Sequence, residues 1–186
     1  MDKSERKKII LPLNKEKNRE LRAGDGLLLT GYLYTARDAA HKRLAGKIRN
    51  NEELPINLAG ETIYYSGPCP TRPGGIIGSA GPTTSGRMDT YTPALLDKGL
   101  IGMIGKGNRN QQVIDAIIET GAIYLGATGG AGALIAQSIR SVEVVAFPEL
   151  GTEAIRRIWV EDFPVIVLID SQGNNLYEIG KQKYCR

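Results

Sequence analysis

Three stretches of this chain, GYLYTARDAAH, GPTTSGRMD and IGMIGKGNRNQ, share one grammar of glycine with a cation or a row of hydroxyls, set between strand-like and helix-like segments. Strands that alternate with helices in this way bury their apolar faces as an α/β domain with a mostly parallel or mixed sheet. In such domains the ligand loops gather where strands end and helices begin. The length of 186 residues fits a single domain spanning 1–186 with a sizeable core, with residues 1–8 expected as a flexible N-terminus.

The rest of the chain extends the pattern. KIILPL reads as a first strand with Pro12 at its end or on a sheet edge, residues 15–22 are polar, and LLLTGYLYT reads as a buried strand. Thr35 is placed to cap a helix through ARDAAHKRLAGKIRN, with Ala36, Ala40 and Leu44 on one face and Arg37 and His41 on another. ETIYYSGP is a short strand, and residues 71–90 form a Gly, Pro, Ser and Thr loop of the kind that usually serves function. Thr92 and Pro93 open the helix YTPALLDKG, LIGMIGKG is a strand, and QQVIDAIIETG is an amphipathic helix stopped by Gly121. AIYLGATGG is a strand, AGALIAQSIR a helix and VEVVAF a strand. GTEAIRRIWVEDF contains a short helix and leads on to PVIVLIDS, a last buried strand, and LYEIG is an edge strand after the turn QGNN.

Composition narrows the chemistry. A net charge of +4 admits nucleic-acid binding, but no recognition helix, RNP motif or aromatic-basic stripe is present. No apolar run approaches the ~20 residues that span a bilayer, and the start lacks a signal-peptide core, so a cytoplasmic location and no membrane contact are expected. Two cysteines, Cys69 and Cys185, are too few for a disulfide framework or a four-thiolate metal site, so this chain is expected to bind no metal by itself.

The three segments offer Arg37, Arg87 and Lys106 as cations and Thr83, Thr84 and Ser85 as hydroxyls. Arginine clamps carboxylate or phosphate in a planar, bidentate way and lysine acts as a point charge, so a small polyanion is the natural ligand. Each residue also has a plainer reading. Arg37 could solvate its helix turn, and Lys106 could be a surface lysine, since GKG lacks the phosphate-loop pattern. His41 could be a core-edge residue, and Cys69 an incidental thiol between prolines. GATGGAGA fits helix-entry packing better than a dinucleotide loop.

TARDAAHKR, YYSGP, GPTTSGRMD, MIGKG and FPELGTEAIRRIWVEDFPVIVLIDSQGNNLYE together resemble the β subunit, or C-terminal domain, of class I iron-sulfur fumarases and the related L-tartrate dehydratases, over nearly the whole chain. The resemblance implies a swivelling β/β/α domain. It implies a 4Fe-4S cluster held by three cysteines of a separate α subunit, whose free iron acts as a Lewis acid on the substrate. The implied assembly is a dimer of αβ units, and the implied reaction is reversible hydration of fumarate to (S)-malate, with tartrate dehydration as the near alternative. Carried onto this sequence, Arg37, Arg87 and Lys106, with Thr84 beside them, hold the dicarboxylate. Thr83 takes the position proposed for proton removal, and Asp38 and His41 orient Arg37 or meet the α subunit. A phosphocarrier built on His41 and a nucleotide binder built on the glycine loops are rivals from other classes.

Overall fold

The computed structural model describes residues 6–71, 73–127 and 132–184. Its seven strands form one mixed sheet in the order β1-β2-β3-β4-β5-β7-β6, with an extra β2–β7 pairing that closes five of them into a barrel-like ring. The α/β expectation with a mixed sheet is met.

The ring begins with β2 (Gly26–Thr35), β3 (Thr62–Tyr64), β4 (Gly102–Gly105) and β5 (Ile123–Gly126), all parallel. Leu27, Leu29 and Leu33 of β2 are wholly buried, and every residue of β3, β4 and β5 is buried, as parallel strands covered on both faces must be. The closing strand is β7 (Ile155–Ile169), antiparallel to both β2 and β5. Its other partner, β6 (Ile139–Ala146), lies outside the ring, as does β1 (Lys7–Ile10), parallel to the first half of β2. Lys7 and Lys8, expected in a flexible terminus, are thus strand residues, and residues 1–5 fall outside the described ones.

The 15-residue β7 replaces the two shorter elements that the sequence suggests. Its Pro164 falls between the end of β6 pairing at Val160 and the start of β5 pairing at Ile166, where that edge needs no N–H donor. A bulge there, with Asp162 at φ 48°, matches an irregularity between Leu29 and Gly31 in β2. Gly31 sits at φ 137°, and a Cβ on it would lie 2.8 Å from the Leu11 Cβ, so only glycine suits this crossing of β2 under the first loop.

Helices cover the sheet. α1 (Lys15–Glu20) forms inside the polar stretch, capped by the Asn14 side chain, which accepts from Lys17 N–H at 2.8 Å. It is too short and polar to show an apolar period. α2 (Asp38–Arg49) buries Ala40 and Leu44 as expected, but its N-cap is Arg37, not Thr35. Thr35 finishes β2, and its buried Oγ1 has no partner among the described residues. α3 (Thr92–Asp97) starts at Thr92 with Tyr91 as N-cap. The Thr92 hydroxyl donates to the Met88 carbonyl instead of capping its own helix. α4 (Gln111–Thr120) is capped by Asn110 and stops at Gly121, φ 72°, as its sequence predicts.

α5 (Gly132–Gln137) is shorter than expected because Ile139 and Arg140 enter β6. The centre of GATGGAGA, residues 128–131, lies outside the described residues. Its flanks pack tightly: a Cβ on Gly126 would meet Leu168 Cδ1 at 2.7 Å, and one on Gly132 would meet Ser79 Oγ at 2.6 Å. α6 (Leu176–Tyr184) is a helix where an edge strand is expected. The run LYEIG is too short for its period to separate the two, and Leu176 is drawn in because it packs on the core. Trp159 stands half-buried on the outer side of β7 with its ring edge-on to Tyr32, 4.7 Å between centroids. No helix among the described residues is long and apolar enough to cross a membrane.

Candidate functional site

The parallel strands β2, β3 and β4 all point the same way, so the residues just past their ends, Arg37, Gly67 and Lys106, belong to the same end of the ring. The loop 81–88 folds back onto that end. Thr83 N–H donates to the Tyr65 carbonyl at 2.7 Å, and Thr84 forms a parallel bridge with Lys106, so the hydroxyl row is wedged between the tips of β3 and β4.

The three hydroxyls then part company. Ser85 is buried: its N–H donates to the Lys106 carbonyl at 2.9 Å, and its Oγ accepts from Lys106 N–H at 3.1 Å. Ser85 Oγ also lies 2.8 Å from Tyr124 Oη, which is 2.9 Å from the Gly107 carbonyl. Burial pushes the Tyr124 phenol well above its ordinary range, so it stays a protonated donor. Ser85 is therefore an anchor, while Thr84 is exposed and Thr83 part-exposed, its hydroxyl without a hydrogen-bond partner among the described residues.

The cations converge on a carboxylate. Arg37 leaves the end of β2 in an extended conformation and Arg87 comes from the 3-10 turn Ser85–Met88. Both reach Asp38 Oδ2, Arg37 Nη2 at 3.3 Å and Arg87 Nη2 at 2.9 Å. Gly67 leaves space for this: a Cβ there would meet Arg37 Cδ at 2.9 Å. The Arg87 side chain is 56% exposed and Lys106 is exposed, so both face solvent at the rim. Arg37, Asp38 and Arg87 are brought into contact, and Thr84 and Lys106 are tied to them through the turn at 85–88.

His41 is not brought to this rim. It is fully buried, with its ring edge-on to Tyr65 at 5.0 Å. Its Nδ1 lies 3.0 Å from the Arg37 carbonyl, so that nitrogen carries the proton, and Nε2 has no partner among the described residues. Burial, helped by the Arg109 charge, lowers its pKa from 6.5 to about 4. An imidazole sealed in this way has no route to a phosphoryl donor, which removes the carrier reading. It also makes stability pH-dependent. The unfolded chain takes up a proton near pH 6.5 that the folded chain refuses until about pH 4, so the contribution is full above 6.5 and lost as pH falls towards 4. Urea unfolding of the protein and of a His41→Leu variant is expected to show an extra fall of about 3 kcal/mol across that window in the histidine form only. Parallel pH curves would refute the assignment.

Three residues that the sequence did not single out complete the site. Arg109 is wholly buried: Nε donates to Asp89 Oδ1 at 2.7 Å and Nη2 to the Thr92 hydroxyl at 2.8 Å, while its guanidinium stacks over Tyr65 and Tyr124 at 5.4 and 4.9 Å. Asp89 Oδ2 accepts from Asn110 N–H at 2.7 Å, so this ion pair bolts the loop bearing Arg87 to the loop bearing Lys106. Glu153, the third, accepts from Ala39 N–H at 2.9 Å at the start of α2. Nothing in local spacing marks them, because their charged and hydroxyl partners lie 17 to 116 residues away. Cys69 is exposed and unpaired, and Cys185 lies outside the described residues. Among the described residues no group of three or more His, Cys, Asp or Glu side chains could hold a metal ion.

The fold is a mixed α/β domain with a barrel-like ring, and Arg37, Arg87 and Lys106 gather at one end of it. The chain belongs to the family described as Fumarase C-terminus, whose model matches residues 1–180. It is 47% identical over 161 residues to a protein named fumarate hydratase class I, anaerobic, of Escherichia coli (strain K12), covering 86% of this chain and 29% of that protein. It is 44% identical over 156 residues to fumarate hydratase 2 of Leishmania major, covering 83% and 28%. A putative L(+)-tartrate dehydratase subunit beta of Methanocaldococcus jannaschii is 36% identical over 179 residues, with 92% of each chain covered. The chain thus spans less than a third of the length of the fumarate hydratases named here.

Proposed function

We propose that this chain is the β subunit of a class I hydro-lyase, a swivelling domain that closes over the active site of an α subunit and clamps a dicarboxylate for the reversible hydration of fumarate to (S)-malate. The observation that carries the reading is the meeting of Arg37 and Arg87, from two separate loops, on one oxygen of Asp38. A pair of guanidiniums already arranged around a carboxylate is suited to a substrate carboxylate in its place. Lys106, exposed on the adjoining strand end, supplies a further positive charge. Three cations favour the extra negative charge that develops when a C–H beside a carboxylate loses its proton.

Thr83 contributes a hydroxyl to that proton transfer as a relay, since a threonine is far too weak an acid to stand ionised at neutral pH. Thr84 binds at the same rim. Asp38 holds the two arginines apart in register until the substrate arrives. The cluster expected of such an enzyme does not fit the donors of this chain, so the 4Fe-4S group belongs to the α subunit, and this chain's part is binding, orientation and proton movement. The assembly is a dimer of αβ units in the cytoplasm. A second reading, L-tartrate dehydratase, is favoured by the relative from Methanocaldococcus jannaschii, which is named as a subunit and matches over 92% of both lengths. The two substrates differ by one hydroxyl, and discrimination rests on one or two polar contacts.

The test is anaerobic co-expression with a fumarase-type α subunit, cluster loading, and parallel assays of fumarate hydration and tartrate dehydration. Activity is expected only with both chains. Arg87→Ala is expected to lower kcat/KM roughly 100-fold, in line with the ~1.5–3 kcal/mol of a charge-assisted hydrogen bond. Full activity without this chain, or none on either substrate with both, would sink the proposal.

A further inference from the structure

We infer that Glu153 is a positioning residue for the dicarboxylate clamp, fixing Arg37 and Asp38 by capping α2 from a distant part of the chain. The inference rests on the reading of Arg37 and Arg87 as substrate clamps. Arg37, the N-cap of α2, makes no side-chain cap hydrogen bond, so the first N–H groups of the helix need an outside acceptor. Glu153 provides one: Oε2 accepts from Ala39 N–H at 2.9 Å, while Oε1 lies 3.6 Å from Arg37 Nη2. A carboxylate here also complements the positive end of the helix.

Glu153 is itself held firmly. It ends the 3-10 segment Pro148–Glu153, which is pinned to α2 by Arg43, paired with Glu149 and lying 5.0 Å over the Phe147 ring. The Arg156 guanidinium closes the segment by donating to the carbonyls of Gly151, Thr152 and Ala154 at 2.7, 3.0 and 3.1 Å. The same segment presses on the clamp from the other side: a Cβ on Gly67 would touch Arg37 Cδ at 2.9 Å and the Thr152 carbonyl at 3.3 Å. Arg37 therefore lies between Asp38, which it shares with Arg87, and Glu153, which it shares with the helix end. Removing Glu153 frees the first turn of α2, and with it the spacing of both guanidiniums.

The experiment is steady-state kinetics on the reconstituted complex for Glu153→Gln, Glu153→Asp and Glu153→Ala, with Tm measured on each. A displaced clamp weakens ground-state and transition-state binding together, so Glu153→Ala is expected to raise KM about tenfold with kcat little changed. Glu153→Gln keeps the acceptor for Ala39 N–H and is expected to recover most of the loss, and Glu153→Asp, one methylene short, to fall between. A drop in Tm with KM unmoved, or equal effects of Gln and Ala, would overturn the positioning role while leaving the hydro-lyase reading intact. A wild-type complex inactive on both fumarate and tartrate would overturn that reading and this inference with it.

Discussion

Replacing Gly105 by alanine is expected to lower the melting temperature by about 10 °C and, on the function proposed above, to abolish hydro-lyase activity of the complex with an α subunit. The last residue of β4 is packed so closely that a Cβ would stand 2.0 Å from Ser85 Oγ and 3.0 Å from Tyr65 Cδ2. Neither neighbour has room: Ser85 is buried and bonded to Lys106 through both its backbone and its hydroxyl, and Tyr65 is wholly buried under Arg109. Overpacking of this kind costs ~1–3 kcal/mol. Pushing Ser85 away also strands buried donors and acceptors at ~1–3 kcal/mol each. A total of about 4 kcal/mol corresponds to the stated shift at ~2–4 °C per kcal/mol in a chain of this size. Because Ser85 anchors the wedge that carries Thr83 and Thr84, the site is lost along with stability. Thermal unfolding followed by circular dichroism measures the effect, and adding Ser85→Gly should return part of the melting temperature by removing the atom in the way. An unchanged melting temperature in the single variant would show that the strand end is looser than its geometry indicates.

The Arg109→Met variant is expected to lose about 3–5 kcal/mol in urea unfolding, the cost of leaving a buried charge without its partner. Methionine fills much the same volume between Tyr65 and Tyr124, so the loss comes from Asp89, 8% exposed in its side chain, and from the Thr92 hydroxyl. Asn110 N–H still reaches Asp89 Oδ2, which offsets only part of the charge. The double variant Arg109→Met, Asp89→Asn removes the stranded charge and is expected to be more stable than the single one. A single variant within about 1 kcal/mol of the wild type, by contrast, would show that the pair roughly balances its own desolvation, as buried ion pairs sometimes do.

The particular elements show which parts of this molecule are local in origin. The strand β2, the helix α4 with its Gly121 stop, and the inward face of α2 at Ala40 and Leu44 are all written in spacing and caps within a dozen residues. So is the choice of residues at the strand ends: glycines for close approach, and Arg37, Arg87 and Lys106 as cations. Where the local signal was ambiguous, packing decided. The run LYEIG became α6 because Leu176 finds the core as a helix residue, and Thr35 gave up a cap to end β2. Thr92 turned its hydroxyl to Met88 and Arg109, partners that its own helix signal does not announce.

By itself, then, the sequence determined an α/β domain with a cationic, hydroxyl-lined set of loops at its strand ends, because periodicity, turn chemistry and charge act over a few residues. Tertiary structure alone decided that β7 runs unbroken past Pro164 to close the ring. It also set Ser85 as anchor, left the Thr83 hydroxyl without a partner among the described residues, sealed His41 inside, and placed Arg109, Asp89 and Glu153 beside the loops that bear Arg37, Arg87 and Lys106. Those outcomes depend on groups from 17 to 140 residues apart, whose meeting is set by how strands pair and which charges can be buried together, and no local pattern encodes that.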